Sequence, residues 1–345
     1  MSHLTQSRGA VVVLSFWTFL FVIPGLAAPL QAAAPAEQAA RVEGAKKEGK
    51  VVVYTNNSGI APLIKRFEEK YPFVKVEYLR TGAPKLLNKV LTESRAGASN
   101  ADIIETEGLT SYLMMRKGLY AKYVSPESKV YPAGAKDPDG YWTGAHSNYK
   151  VVAYNTRMVA ANEVPQTWDD IVQPKWKGKI LLASNNYEWF GNVVKILGEE
   201  KGMATMRKVA AQDLMLREGN TLILQLLSAG EGALALAANV DSVEETKAKG
   251  AKIDWVGVPP VVSRLHPIAL AHNAPHPNAA KLYIDFVLSK EGQEIVTKEL
   301  IGISDRPDVK KIFTKEGLKL YYADLSLADQ YEEVTKKFDT VFKIR

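Results

Sequence analysis

Short runs of β-branched and aromatic residues alternate with helix-forming segments between residues 51 and 104. Residues 51–54, 74–79 and 101–104 predict strands, and the two segments between them carry apolar residues at helical spacing. Strands that alternate with helices at this pace form βαβ units, whose strands lie parallel in one sheet. The first third of the chain therefore predicts an α/β fold.

Polar residues directly follow the three predicted strands: Thr55, Asn56, Asn57 and Ser58 after the first, Arg80 and Thr81 after the second, and Glu105, Thr106 and Glu107 after the third. In a parallel α/β sheet, ligands bind outside the carboxyl ends of the strands. The sequence therefore predicts one wall of a ligand site at this edge of the sheet.

A second alternation of strands and helices is predicted after a stretch rich in Pro, Gly and Tyr that begins near residue 123. A second set of elements is predicted: strands at 151–155, 180–183 and 233–236, and helices at 192–200, at 221–229 and from Pro277. We expect the chain to cross into a second lobe near residues 146–158 and to return near residues 255–262. The sequence thus predicts two α/β lobes.

The amino terminus has the layout of a secretory signal peptide. Arg8 precedes an apolar run at residues 10–23, and an Ala-rich segment follows. A membrane anchor is the alternative, but the run is shorter than the roughly 20 apolar residues that span a bilayer. The chain has no cysteine, which excludes disulfides, thiolate metal sites and a lipid-modified cysteine anchor. We therefore expect a soluble protein exported to the periplasm.

The charge pattern and the missing motifs narrow the class of function. The formal net charge of +6 is spread over 345 residues without a Lys/Arg block longer than two. A nucleic-acid-binding protein more often carries a basic stripe or cluster, so none is expected as a partner. The sequence contains no nucleophile elbow, P-loop, HExxH or dinucleotide-binding fingerprint. We expect no enzyme and no cofactor, although a catalytic triad scattered along the chain leaves a transferase as an alternative.

Several segments resemble one known family. The stretches VVVYTNNSG, LIKRFEEKYP and ADIIETEG, followed by TWDDIVQPKWKGKI (167–180), LLSAGEGALALAAN (226–239) and PNAAKLYIDFVLSKEGQEI (277–295), are similar to family 1 extracellular solute-binding proteins of ABC importers. The resemblance is strongest to the branch that contains periplasmic ferric-iron-binding proteins. It covers residues 48–306.

The resemblance implies a type II periplasmic binding protein, with two α/β lobes and a ligand cleft between them. Its expected boundaries are a signal peptide at 1–33, a first lobe at 34–147 plus 268–308, a second lobe at 148–267 and a C-terminal helical segment at 309–345. A ligand that touches both lobes stabilises the closed state by its differential affinity for that state. The expected partners are a small-molecule ligand and a membrane permease, and the protein is expected to be a monomer.

The resemblance also places ligand contacts. It assigns Thr55, Asn56 and Ser58 in the first lobe, and Ser184, Asn186, Tyr187, Asn220 and Thr221 in the second lobe. The ferric branch carries two adjacent tyrosines where this chain has Asn239, Val240 and Asp241. Free ferric ion is therefore the alternative ligand, and the expected ligand is an organic or phosphorus-containing anion or a metal chelate.

Three further residues are candidates from their own chemistry and position. Arg80 ends a predicted strand, where its guanidinium suits a carboxylate or phosphate, and surface exposure is the alternative. Thr106 follows the third strand, and Asp241 stands where the tyrosines are missing. The remaining histidines in the second half (His266, His272 and His276) fit no compact metal motif, so no metal site is predicted.

Overall fold

A computed structural model of the chain describes residues 30–344 except residues 58, 300, 301 and 316. The chain divides into two compact units, residues 1–39 and 40–345. In the first unit, the described residues belong to helix α1 (Leu30–Glu48). Residues 1–29, with most of the predicted signal peptide, lie outside the described residues, as does Ser58. Within the described ranges, no helix is long and apolar enough to cross a membrane.

The strands of the second unit form a single mixed sheet. Its strands in chain order are β1 (Lys50–Thr55), β2 (Lys75–Arg80), β3 (Ile103–Glu105), β4 (Tyr120–Ala121), β5 (Thr143–Asn155), β6 (Ile180–Ala183), β7 (Met215–Arg217), β8 (Leu234–Asn239), β9 (Ile253–Val256), β10 (Val261–Ala271) and β11 (Leu320–Tyr322). Their main spatial order is β2-β1-β3-β10-β5-β8-β6-β7, while β4 and β11 pair with β10 and β9 pairs with β5.

Two long strands occupy the middle of this order. Strands β10 and β5 are antiparallel to each other, and each is also antiparallel to its outer neighbour, β3 and β8 respectively. The strands on either side are parallel among themselves, β2-β1-β3 in a first half-sheet and β8-β6-β7 in a second half-sheet. We call β5 and β10 the hinge strands, because they join the two half-sheets.

Helices connect and cover the strands. After α1 they are α2 (Ala61–Lys70), α3 (Ala83–Arg95), α4 (Gly108–Arg116), α5 (Trp168–Ile171), α6 (Tyr187–Leu197), α7 (Glu199–Ala210), α8 (Asn220–Ala229), α9 (Val240–Ala248), α10 (Pro277–Leu288), α11 (Lys290–Lys298) and α12 (Tyr331–Phe342). Short 3-10 helices lie at Pro126–Val130, Ala133–Ala135, Ala161–Glu163, Pro174–Trp176 and Leu325–Gln330.

The apolar stripes of the helices form the core against the sheet. Phe67 of α2 is fully buried and packs edge-on against Tyr283 and Phe286 of α10, at ring-centroid distances of 5.0 and 5.6 Å. Edge-to-face aromatic pairs add about 0.5–1.5 kcal/mol each beyond the burial of their area. On the side of the second half-sheet, a cluster around Tyr149 and Trp255 performs the same role.

Most predicted elements are present, and three differ in extent. The predicted helix at 192–200 is two helices, because Gly198 at φ +84° separates α6 from α7. The predicted strand at 151–155 is the end of the 13-residue strand β5, whose earlier residues include three consecutive polar side chains, His146, Ser147 and Asn148. The segment 309–345, predicted as helical, includes strand β11.

Candidate functional site

A polar cavity of about 460 Å³ lies where the hinge strands meet loops from both half-sheets. On the first side it is lined by Glu107, Thr110 and four apolar residues of α3 and α4. On the second side it is lined by residues 185–189 and Asn220, which precede or begin α6 and α8. Lys150 and Arg264 of the hinge strands complete the lining, together with Ala328 and Tyr331 near the carboxyl end.

The cavity floor belongs to a polar row on one face of the hinge strands. Pairing runs without interruption from Lys150 opposite Val262, through Asn148 opposite Arg264, to His146 opposite His266. Directly opposed residues of an antiparallel pair share a face, and so do residues two apart on one strand. The five polar side chains therefore project from the same face, and we call them the hinge row: His146, Asn148, Lys150, Arg264 and His266.

Lys150 brings a buried ammonium group to the cavity. The residue is 5% exposed, and its Nζ donates to Asn186 Oδ1 at 3.1 Å. Burial, with a smaller contribution from the positive charge of Arg264, lowers the pKa of Lys150 to about 7. Among the described residues, no carboxylate lies within ion-pair distance of this ammonium group. A buried cation without a charged partner favours an anion in the adjoining space.

Arg264 connects the two sides of the cavity. Its Nε donates to Glu188 Oε2 at 2.6 Å on the second side, and its NH2 lies 3.5 Å from Glu107 Oε2 on the first side. The negative charge of Glu188 is the main cause of a raised pKa for Arg264. The second carboxylate oxygen of Glu188 is buried without a protein partner. Arg264 is therefore anchored from both sides of the cavity, and the unsatisfied polar atom of this cluster is Glu188 Oε1.

Two histidines and a carboxyl group occupy the end of the hinge row near the first half-sheet. The rings of His146 and His266 stack at a centroid distance of 4.2 Å, and His146 Nδ1 lies 3.5 Å from Glu105 Oε1. Burial raises the pKa of Glu105 to about 7, although its hydrogen bond from Asn57 favours the charged form. Burial lowers the pKa of His146 to about 4, so its imidazole is uncharged at neutral pH, whereas the Glu105 carboxyl titrates close to neutral pH.

Three of the predicted ligand residues line the cavity. Asn186 holds Lys150 and leaves its own Nδ2 unpaired, while Asn220 has an unpaired Oδ1 at the start of α8. Tyr187 lines the cavity, but its ring also packs edge-on against Phe338 of α12 at 4.9 Å. Its position thus combines a packing role with access to the ligand space.

Three predicted residues at the ends of β1 and β3, Thr55, Asn56 and Thr106, lie outside the cavity lining, whereas Glu107, which follows β3, belongs to it. Thr55 is buried and its Oγ1 accepts a hydrogen bond from the backbone of Asn57. Asn56 Oδ1 and Thr106 Oγ1 are buried without a partner. The backbone of Thr106 donates to Pro267, which follows His266 directly. This group therefore adjoins the histidine end of the hinge row.

The other predicted residues also lie outside the lining. Arg80 is exposed at the end of edge strand β2, and Thr221 is exposed on α8. Ser184 donates its backbone N–H to Arg217, and Asp241 Oδ1 accepts from Ser242. The charge of Asp241 nevertheless acts on both Lys150 and Arg264, so it lies near the cations.

Sequence reasoning missed both hinge-strand cations and Glu188. A signal for the cations was present at every second position of two segments, which is polar in HSNYK (146–150) and in the RLH part of VVSRLHP (261–267). Alternation with period 2 indicates that one face of a strand differs from the other. It does not indicate that two such strands pair with each other, which is what forms the row.

A metal site finds no support in the donor arrangement. In the part of the chain that the structure describes, no group of three or more His, Asp or Glu side chains is arranged to hold a metal ion. His272 is exposed, and His276 Nδ1 lies 2.9 Å from the buried carboxylate of Asp102. His276 therefore has a structural role at the start of α10.

Two half-sheets joined by hinge strands, with a polar cavity at the junction, define a two-lobed ligand-binding protein. Solved structures share this fold. The chain aligns with the Trichodesmium protein IdiA (FutA) in complex with iron and citrate ligands at a TM-score of 0.73 and 20% identity, covering 85% of this chain and 99% of that one. The predicted two-lobed type II periplasmic binding fold is confirmed.

The sequence comparisons define the family. Residues 101–314 match the model of the bacterial extracellular solute-binding proteins, and the chain belongs to this family. It is 26% identical to iron uptake protein A1 of Synechocystis sp. over 65% of this chain and 67% of that protein. It is 22% identical to a putative 2-aminoethylphosphonate-binding periplasmic protein of Salmonella typhimurium, over 68% and 71% respectively. The predicted family resemblance is confirmed.

Proposed function

We propose that this chain captures a small organic anion in the hinge cavity and presents it to the permease of an ABC importer. The observation that carries the proposal is Lys150, a buried ammonium group that faces the cavity without a carboxylate partner among the described residues. An isolated buried charge is costly, and a bound anion would offset that cost. The neighbouring guanidinium of Arg264 offers a second cation to a phosphate or carboxylate.

The neutral lining supports a polar organic ligand. Asn186 and Asn220 each leave a side-chain atom unpaired, and Trp189 and Tyr187 add aromatic surface. Ligand pockets commonly combine apolar walls with a few convergent polar groups. A cavity of about 460 Å³ lies within the range of 300–1,000 Å³ that holds small molecules.

The arrangement also suits a ligand trap that closes. Glu107 and Glu188 approach Arg264 from opposite sides of the cavity, so a ligand there would contact groups from both lobes. Such a ligand stabilises the closed state, which a permease can distinguish from the open one. We propose a periplasmic location, no catalytic step and a monomer, in keeping with the relatives that are periplasmic binding proteins.

Lys150→Met tests the anion site. The purified protein is titrated by calorimetry against phosphonates, organic phosphates and carboxylates, with ferric citrate as the chelate arm. For the anions that bind, we expect the variant to lose affinity by at least about tenfold, since a hydrogen bond to a charged group contributes about 1.5–3 kcal/mol. Lys249→Met, at a highly exposed lysine that directly follows α9, is the matched control and should leave affinity unchanged.

Two results would contradict this proposal. One is binding of organic anions with equal affinity by the native protein and the Lys150 variant. The other is binding of free ferric ion without any organic anion, which would restore the ferric alternative. Turnover of a bound compound would instead favour a transferase on the same fold.

A further inference from the structure

We propose that the hinge row contains a second subsite, formed by Asn148, His146 and His266, which binds the hydroxyl groups of the ligand beside the Lys150–Arg264 cation pair. The inference deepens the proposed function and rests on it. It narrows the ligand class to small organic anions that carry hydroxyl groups on an otherwise uncharged tail.

The first step is the distance along the hinge row. Arg264 and His266 are two residues apart on the same face of β10, and Asn148 lies directly opposite Arg264. Two residues of a strand span about 7 Å. A ligand whose anionic group lies at Arg264 can therefore place the atoms four or five bonds away against the histidine rings. The two subsites fit one small molecule.

The second step is the unused hydrogen-bonding capacity at this end. Asn148 Oδ1 and His266 Nδ1 are both buried without a protein partner, and so is Thr106 Oγ1, whose backbone is bonded to the residue after His266. An unsatisfied buried polar group costs about 1–3 kcal/mol. Three such atoms within one region indicate that a bound molecule supplies their partners.

The third step is the charge of the region. Burial lowers the pKa of His266 well below the ordinary value, with smaller contributions from the neighbouring His146 and Arg264, so its imidazole is uncharged. A neutral imidazole offers one donor and one acceptor, and an amide or hydroxyl oxygen adds an acceptor. Hydroxyl groups can both donate and accept, so they match this set. A second anionic group of the ligand would meet no cation at this end of the hinge row except Arg264. It would also lie near the carboxyl group of Glu105, which is beside His146.

The geometry separates this subsite from an ordinary packed histidine pair. His146 keeps 16% of its side-chain surface exposed, and both histidines share their face with two residues that line the cavity. A structural histidine has a ring nitrogen paired within the protein, as His276 Nδ1 is paired with Asp102. His266 Nδ1 has no such partner among the described residues.

Matched ligand pairs test the proposal. Glycerol 3-phosphate is compared with n-propyl phosphate, and gluconate with hexanoate, by calorimetry on the native protein. Within at least one pair, we expect the hydroxylated probe to bind about five- to tenfold more tightly, the gain expected for one or two added neutral hydrogen bonds. The two pairs distinguish a phosphate from a carboxylate as the anionic group.

Variants locate the preference. His266→Phe keeps a ring in the stack but removes both nitrogens, and we expect it to bind the two members of the pair equally. The loss of affinity should fall mainly on the hydroxylated member of each pair, glycerol 3-phosphate or gluconate. Asn148→Ala is the second variant, for the case in which His266→Phe does not fold. His272→Phe, at an exposed histidine outside the row, is the matched control and should keep the preference.

Each outcome has a defined meaning. Equal affinities within both pairs, with binding still dependent on Lys150, would overturn the hydroxyl subsite and leave the anion site intact. A preference that survives both His266→Phe and Asn148→Ala would also overturn it. No binding of any of the four probes or of the wider set of organic anions would overturn the anion site and the subsite together.

Discussion

Lys150 and Arg264 bring the same charge to one cavity but meet different partners. Arg264 is paired with Glu188 and approaches Glu107, so its charge is compensated within the protein. Lys150 is bonded only to an amide oxygen among the described partners. The difference matters because burial disfavours the charged form of a side chain, and a nearby opposite charge offsets that effect. We therefore expect a bound anion to change the pKa of Lys150 more than that of Arg264.

The stability of the unliganded protein should depend on pH through Lys150. Its pKa is about 7 in the folded chain, against about 10.4 in an unfolded chain. Between these values the unfolded chain binds more protons, so stability rises with pH and the cost of the charge is fully present below pH 7. The surrounding charges that act on it are Arg264, Glu188, Asp241 and Glu107.

Lys150→Met should remove this dependence. Between pH 6 and pH 9.5, we expect the free energy of unfolding of the native protein to rise relative to the variant by at least about 1 kcal/mol. Urea denaturation of the unliganded proteins at the two pH values measures the difference. The exposed control Lys249→Met should show the same pH dependence as the native protein. A parallel pH dependence of all three proteins would show that the pKa of Lys150 is not lowered.

Among the helices, the separation of α6 and α7 depends on a close contact near the carboxyl end of α6. The chain turns between the two helices at Gly198, and Gly202 of α7 then meets the backbone of Val194. A Cβ atom at Gly202 would lie 2.6 Å from Val194 Cα and 2.7 Å from its carbonyl oxygen. Backbone atoms cannot rotate away as a side chain can. The absence of a side chain at Gly202 therefore sets the separation of the two helices.

Gly202→Ala should force α6 and α7 apart. We expect the free energy of unfolding to fall by about 1–3 kcal/mol, as in other cases of overpacking. Chemical denaturation measures this loss. Because α6 begins with Tyr187 and Glu188 at the cavity, the affinity for a bound anion should fall as well. Lys201→Ala, at the exposed neighbouring residue, is the control. A fully stable Gly202→Ala protein would show that the helices can shift without cost.

At the scale of the whole molecule, Arg264 links the two sides of the cavity through a hinge strand. Glu188 starts the second-side helix α6, and Glu107 precedes the first-side helix α4. The contact to Glu107 is the longer one, at 3.5 Å, and its carboxylate would also repel an anion in the cavity. Glu107 therefore joins the lobes at the expense of ligand attraction.

Glu107→Gln should separate these two effects. We expect organic anions that bind the native protein to bind the variant about three- to tenfold more tightly, because a negative charge beside the ligand is removed. The gain should shrink at high salt. Calorimetry at two ionic strengths measures both, with Glu77→Gln on edge strand β2 as a control at an exposed carboxylate. Weaker binding would indicate that the Arg264 bridge contributes more than the repulsion.

The α/β class, most of the strands and the family could be predicted from the sequence, because these depend on local patterns. The runs at 51–54 and 180–183 are apolar and β-branched or aliphatic, so they became β1 and β6 almost to the residue. The predicted residues Asn186, Tyr187 and Asn220 line the cavity. Asn186 directly precedes α6, Tyr187 begins α6 and Asn220 begins α8, and these positions follow from local sequence signals.

Which polar residues meet depends on how the strands pair in three dimensions. His146 and His266 are 120 positions apart, and their stacking depends on the antiparallel register of β5 and β10. A single-residue shift in that register would turn one strand's row to the opposite face. The physical reason is that register is fixed by packing on both faces of the sheet at once, which no local stretch of sequence encodes. The fold class was therefore readable in the chain, whereas the hinge row and its charges required the paired strands.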